Sequence, residues 1–307
     1  MPSILMKTIK WLLSRVWVIY VVVFIFCLSC IDLKNMDLRV KLRHLNSAIP
    51  DFSDMITFSK YPGQVQSIDW APYKDYFELI LRFMPDDVVG QQLLGFTDYY
   101  LGQQDRSIEL FKKSSLVHGQ DLFFSDYNLG VIYYKKGMWA PAADYLLKAV
   151  AANPQLSFLI TQNATVYKQI FASPAFRYSL SGSMAEAQSD AYILLLSSMY
   201  SLGQYDKMLL IATNAIARSD LRHKDAFYYY AGLGFLGMRQ LERSYMFFQK
   251  SLSLQKNNPD VYFYIADIYQ KTGQGAQARN FLQASYALHQ KNDQRFPYDK
   301  NVNLQFF

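Results

Sequence analysis

Residues 88–292 carry one pattern of small and large residues that returns about every 34 positions. Gly102, Gly137, Gly203, Gly237 and Gly273 mark it, at intervals of 35, 66, 34 and 36. The interval of 66 is close to two periods, so one unit lacks its glycine. A unit this short cannot bury an apolar face alone and must stack against its neighbours. Within 123–156, apolar residues at helical spacing lie on both sides of Gly137, which predicts two helices and a turn. Gly130, Ala142 and Ala149 are small where two backbones approach. Leu129, Tyr133 and Leu146 are large and fill the layer between units. Gly137 and Gly273 are expected to end a helix at positive φ. Only 14 Gly and 10 Pro in 307 residues argue against a turn-rich β chain.

The series Leu129-Gly130, Tyr133, Gly137, Ala142, Leu146, Ala149, Pro154 resembles the tetratricopeptide repeat. Asp126 stands where that repeat carries Trp, and Leu146 where it carries Phe. Partial matches follow at 88–121 (Leu94-Gly95, Gly102, Ser107, Phe111, Ser114), 189–222 (Tyr200, Gly203, Met208, Ala215) and 225–258 (Gly232, Ser244, Phe248, Ser251). Another lies at 259–292 (Tyr262, Ile265-Ala266, Tyr269, Gly273, Ala278, Leu282, Ser285), and 157–188 reads as a degenerate sixth unit. The resemblance covers about 205 residues and implies an all-α fold. The resemblance implies a right-handed superhelical solenoid of helix-turn-helix units, expected to follow an N-terminal transmembrane helix read separately from residues 11–31 below.

Residues 32–87 read as a charged stem followed by an apolar helix, Tyr73 to Met84, able to cap the first unit. Asp86-Asp87 suit the start of the first repeat helix. Phe171 to Gly182, with Ser, Pro and Gly, suggests an extended loop or a worn repeat. Residues 293–307 form a polar tail ending Leu304-Gln305-Phe306-Phe307, a frayed end or a docking segment.

The N-terminus is of another kind. Residues 1–15 are a basic tail, and Val16 to Ile31 are sixteen residues without a charge. Counted from Trp11, the stretch 11–31 is long enough to cross a bilayer core of ~30 Å. Trp11, Trp17 and Tyr20 lie near one end, as interfacial rings do. A membrane anchor is expected. A cleaved signal is an alternative, as is a lipoprotein signal with Cys30 acylated. Lys7, Lys10 and Arg15 precede the segment, and Lys34, Arg39, Lys41 and Arg43 follow it. The short basic tail places the soluble body on the extracytoplasmic, periplasm-like side.

The charge of +6 divides into +3 over 1–31, −2 over 32–87 and +5 over 88–307. No block of cations marks a nucleic-acid surface. Cys27 and Cys30 are the two cysteines, so the body holds no thiol nucleophile and no disulfide. His44, His118, His223 and His289 stand alone, without metal-ligand spacing. Gly232, Gly234 and Gly237 lie inside a repeat helix in the wrong order for a nucleotide fingerprint. The expectation is no enzyme, no cofactor and no metal.

In the repeat family the first helix of each unit lines the concave face. Helical spacing puts Gln92, Phe96 and Tyr99 there, then Phe124, Tyr127, Val131 and Tyr134, then Ile193, Ser197 and Tyr200. Tyr229, Leu233 and Leu236 follow, then Phe263, Asp267 and Gln270. Members that clamp acidic tails use Lys, Arg and Asn on this face, an arrangement missing here. Phe96, Tyr99, Phe124, Tyr127, Tyr134, Tyr200, Tyr229 and Phe263 instead form a candidate groove for an apolar or amphipathic protein segment. The expected role is a membrane-anchored scaffold for protein partners, with a constitutive structural subunit or a tethered maturation factor as alternatives.

Overall fold

Tyr73, Tyr76, Phe77 and Ile80 recur at helical spacing behind Pro72. The computed structural model places them on the buried face of α1 (Ala71–Phe83). The structure describes residue 40 and residues 69–117, 120–152 and 174–291. The chain divides into two compact units, Met1–Pro50 and Asp51–Phe307, and every helix named below belongs to the second. The anchor expected at 11–31, Cys30 and the tail 293–307 lie outside the described residues. Among the described residues, no helix is long and apolar enough to cross a membrane.

After α1 the described residues form five helix hairpins. They are α2 (Val88–Tyr100) with α3 (Gln104–Ser114), α4 (Phe123–Lys135) with α5 (Trp139–Ala151), and α6 (Pro174–Ser201) with α7 (Tyr205–Ala217). Then follow α8 (Lys224–Gly237) with α9 (Leu241–Leu254), and α10 (Pro259–Lys271) with α11 (Gly275–Gln290). Partners within a hairpin pack along their length, α1 packs on α2, and α6 touches both α4 and α8. Among the described residues, the one piece of β-structure is a two-residue antiparallel ladder between α3 and α4, with Leu116 opposite Asp121 and Val117 opposite Gln120. Pro174 opens α6, a 28-residue helix, so the expected loop is helical from Pro174 onward, and residues 157–173 lie outside the described residues.

Close approach explains the small residues. A Cβ on Gly130 would lie 2.5 Å from Leu146 Cγ, and one on Gly232 2.6 Å from the Phe248 ring. One on Gly95 would lie 3.3 Å from Phe111. In each case a glycine on the first helix receives a large side chain sixteen residues on. In the third hairpin the same two places hold Leu196 and Ala212, both fully buried. Large and small have changed helices there.

Serine hydroxyls staple the hairpins at places where other units carry alanine, such as Ala142 and Ala149. Ser107 Oγ donates to Gly95 O at 2.6 Å and Ser244 Oγ to Gly232 O at 2.8 Å. At the other end, Ser251 Oγ donates to Asp225 O at 2.8 Å and Ser285 Oγ to Pro259 O at 2.9 Å. Each such buried bond contributes about 1 kcal/mol.

Helix ends follow their sequence signals. Asp87 caps α2 by accepting from Gly90 N at 2.6 Å. Asn258 caps α10 by accepting from Asp260 N at 3.0 Å, with Pro259 in the first turn. Lys224 donates to Ala215 O at 2.7 Å, to Ile216 O at 3.0 Å and to Arg218 O, closing the carbonyl end of α7 from the start of α8.

The turn glycines carry one correction. Gly102, Gly137, Gly203 and Gly273 have φ of 80°, 71°, 68° and 77°. Each is followed by a residue whose N–H reaches back to the helix, as Met138 N does to Tyr133 O at 2.9 Å. In the fourth hairpin the left-handed residue is Arg239 (φ 60°), and Gln240 N bonds Phe235 O at 2.9 Å in the same way. Gly237 is not the closing residue. It ends α8 under the Tyr205 ring, which a Cβ would meet at 2.6 Å.

Candidate partner-binding surface

The first helices α2, α4, α6, α8 and α10 carry all eight rings of the expected groove, and burial divides them. Phe96 is buried with Trp70 and Tyr100 around it, at ring distances of 5.7 and 4.9 Å. Phe124 lies edge-on to Phe123, and Tyr127 stacks on Phe123 at 5.7 Å; both are buried. Tyr229 is buried among Tyr230, Phe248 and Tyr264. These four rings fill the layers between helices, so a partner cannot touch them without prising hairpins apart. Helical spacing identified their helix face, but the neighbouring hairpin covers that part of it.

Tyr99, Tyr134 and Tyr200 are half-buried, and Phe263 is exposed. The three tyrosines occupy the same place in three successive hairpins, twelfth from the start of the units at 88, 123 and 189. Tyr134 OH and Ser197 Oγ are 2.8 Å apart, which ties α4 to α6 at this level. Of the other residues on the expected face, Val131, Ile193 and Leu233 are buried. Gln92 is spent on Ser125 Oγ at 2.7 Å, linking α2 to α4. Asp267 pairs with Lys271 within α10, and Gln270 is exposed. The surface that remains is a row of phenol edges rather than a continuous aromatic groove.

Buried charge lies beside this row. Asp98, next to Tyr99, is fully buried, and its Oδ2 is 3.3 Å from Arg106 Nε. Arg106 Nη1 also reaches Glu78 Oε1 at 2.7 Å. Burial pushes the Asp98 carboxyl up to about 6; Arg106 and Lys74 oppose the rise and Glu78 adds to it. Burial likewise pushes Asp190 up to about 7, with His223 opposing and Glu186 adding. Neither acid stood out in the sequence, because the burial that shifts them is set by packing between helices rather than by neighbours in the chain. Trp70, stacked on Tyr100 at 5.1 Å, was also missed; its only signal was a ring just ahead of Pro72.

Among the described residues, no group of three or more His, Cys, Asp or Glu could hold a metal ion. His223 contacts Glu186 Oε1 at 3.1 Å, and His289 lies 3.7 Å from Asp260. Leu210 and Met246 are a further surface feature that spacing did not flag. They hold equivalent places on the second helices α7 and α9 and are 63% and 62% exposed.

No family profile and no curated protein sequence matches the chain. Solved structures do. One, "Crystal structure of MamA protein", is 16% identical, covers 72% of this chain and 100% of its own, and has a TM-score of 0.49. "MamA 41-end from Desulfovibrio magneticus RS-1" is 14% identical over 68% of this chain and 98% of its own, with a TM-score of 0.48. "Crystal structure of MamA" is 17% identical over 66% and 97%, also at 0.48. At such scores the functional reading rests on this chain's own residues.

Proposed function

We propose that the protein is a membrane-anchored tetratricopeptide scaffold. It would hold the hairpins as a right-handed superhelix on the extracytoplasmic side and present the inner row to partner proteins. The observation that carries this reading is the half-exposed tyrosine at one register in three successive hairpins, Tyr99, Tyr134 and Tyr200. Tyrosine offers a large rigid contact with a polar tip at low entropy cost, which suits an amphipathic segment. The uncharged run 16–31 supplies the tether, and confinement to a membrane raises the effective concentration of partners. The triple variant Tyr99→Ala/Tyr134→Ala/Tyr200→Ala is expected to lower partner recovery by crosslinking in native membranes at least about tenfold, with helicity unchanged. Undiminished recovery sinks the reading, and protease protection of the body tests its side.

A second reading, a constitutive subunit of a membrane assembly, is favoured by Leu210 and Met246. Two bare apolar side chains at matching places on adjacent hairpins suit a permanent contact. On this reading Leu210→Gln/Met246→Gln releases the protein from its native complex on blue native gels. On the scaffold reading it does not.

A further inference from the structure

Helix α6 runs 28 residues, where α2, α4, α8 and α10 run 13 or 14. The repeat unit begins at 189, so residues 174–188 are a helical extension ahead of it. The end of that extension is fastened to the turn between α7 and α8. Glu186 Oε2 accepts from Arg222 Nη1 at 2.8 Å, and Glu186 Oε1 lies 3.1 Å from His223 Nε2. Ser189 Oγ accepts from Arg222 N at 2.8 Å. His223 stands just ahead of α8 at φ 54° and ψ 45°, a left-handed backbone uncommon for a residue with a Cβ. Such a conformation persists where the contacts around it hold it, and it recurs at switch segments. Asp190, half-buried one turn after Glu186, interacts with the same imidazole. Among the described residues, the charges that act on Asp190 are His223 and Glu186; none on α4 or α5, which also pack on α6, does so. Near His223, Arg218 is held by Asp220 and Tyr192, Lys224 by the carbonyls that end α7, and Asp225 lies in the first turn of α8.

We propose that this cluster is a proton-operated latch. With His223 charged and Asp190 neutral it holds the end of the α6 extension against the α7–α8 turn, and loss of the two protons loosens it. Histidine is the side chain whose charge ordinarily changes between about pH 5 and 8. Burial raises the Asp190 carboxyl to about 7, so the folded junction binds this proton more tightly than the unfolded chain does. The cost of ionising it is absent below about pH 4 and complete above about pH 7. The two groups therefore act in one direction. At low pH an imidazolium faces the Glu186 carboxylate beside a neutral Asp190; at high pH two carboxylates are left with Arg222. Arg222 keeps its charge throughout, so the latch weakens rather than vanishes.

The amide of Arg222 reports the latch, because it is released only when the turn leaves Ser189. In the full chain, hydrogen exchange corrected for intrinsic rates is expected to show this amide about tenfold less protected at pH 8 than at pH 5.5. In Asp190→Asn/His223→Gln the difference is expected to fall below about twofold, while the pH response of α2 and α3 stays that of the parent. Glu186 has 43% of its side chain exposed, so it can be changed without disturbing the core. Glu186→Gln is expected to bring the protection at pH 5.5 down to the parent's value at pH 8, and it decides alone if the double variant loses helicity. Equal protection of the parent at both pH values overturns the proposal. So does a tenfold difference that survives in the double variant, or parental protection of Glu186→Gln at pH 5.5.

Discussion

The second and third hairpins solve one packing problem with opposite residues. In the second, Gly130 on α4 receives Leu146 from α5 at a distance that admits no Cβ. In the third, Leu196 stands on α6 and Ala212 on α7, both without exposed surface. What the repeat preserves is the summed volume across the pair rather than the residue at either place.

That comparison can be broken directly. Leu196→Ala is expected to cost about 2–5 kcal/mol, because the lost side chain leaves a cavity. Ala212→Leu alone overpacks the same space by about 1–3 kcal/mol. The two together are expected to be more stable than Leu196→Ala alone, with a coupling of about 1–2 kcal/mol. Urea midpoints of the four proteins check this, and simple additivity would show that the pair does not share one space.

A second contrast separates the first hairpin from the second. Asp98 occupies the place on α2 that Tyr133 holds on α4. Its carboxyl is raised in the folded protein, so the folded state binds this proton more tightly than the unfolded state does. The penalty is nil below about pH 4, grows as pH rises, and is complete above about pH 6. Holding the carboxyl that far above its usual range costs about 3 kcal/mol once it is ionised. Asp98→Asn is expected to lose less stability than the parent between pH 4 and 7, measured by urea titration at each pH. Equal slopes in the two proteins contradict this account.

The smallest effect sharpens the comparison of turns. Arg239 holds a left-handed conformation that Gly137 holds in the second hairpin. Arg239→Gly is expected to raise stability by about 1 kcal/mol, and Gly137→Arg to lower it by a similar amount. Thermal midpoints moving in opposite directions confirm the equivalence of the two sites.

These contrasts explain what was legible in the sequence. The hairpins were, since Gly130, Gly232 and Phe248 report contacts between helices close in the chain. The cap was too, because Tyr73 to Met84 is amphipathic by itself; the helix runs Ala71–Phe83. The turn of the fourth hairpin was misplaced by two residues, because a ~1 kcal/mol preference lets Arg239 stand in for glycine while Gly237, nearby, serves a different contact. The groove was legible only as a helix face. Whether Tyr127 or Tyr134 reaches solvent depends on how the next hairpin is set, and helical spacing within one unit does not contain that. Asp98 and Asp190 owe their shifted protons to burial by other helices, with Arg106, Lys74, Glu78 and His223 brought in from elsewhere in the chain.

Lys224 joins two hairpins through a single ammonium whose three hydrogens are all engaged by carbonyls at the end of α7. In an array where each unit touches only its neighbours, cooperativity is decided at such junctions. A strong junction makes adjacent units melt as one block; a weak one lets the array fray from its ends. The Lys224 junction is expected to make the third and fourth hairpins melt as one block, with the array fraying on either side of it.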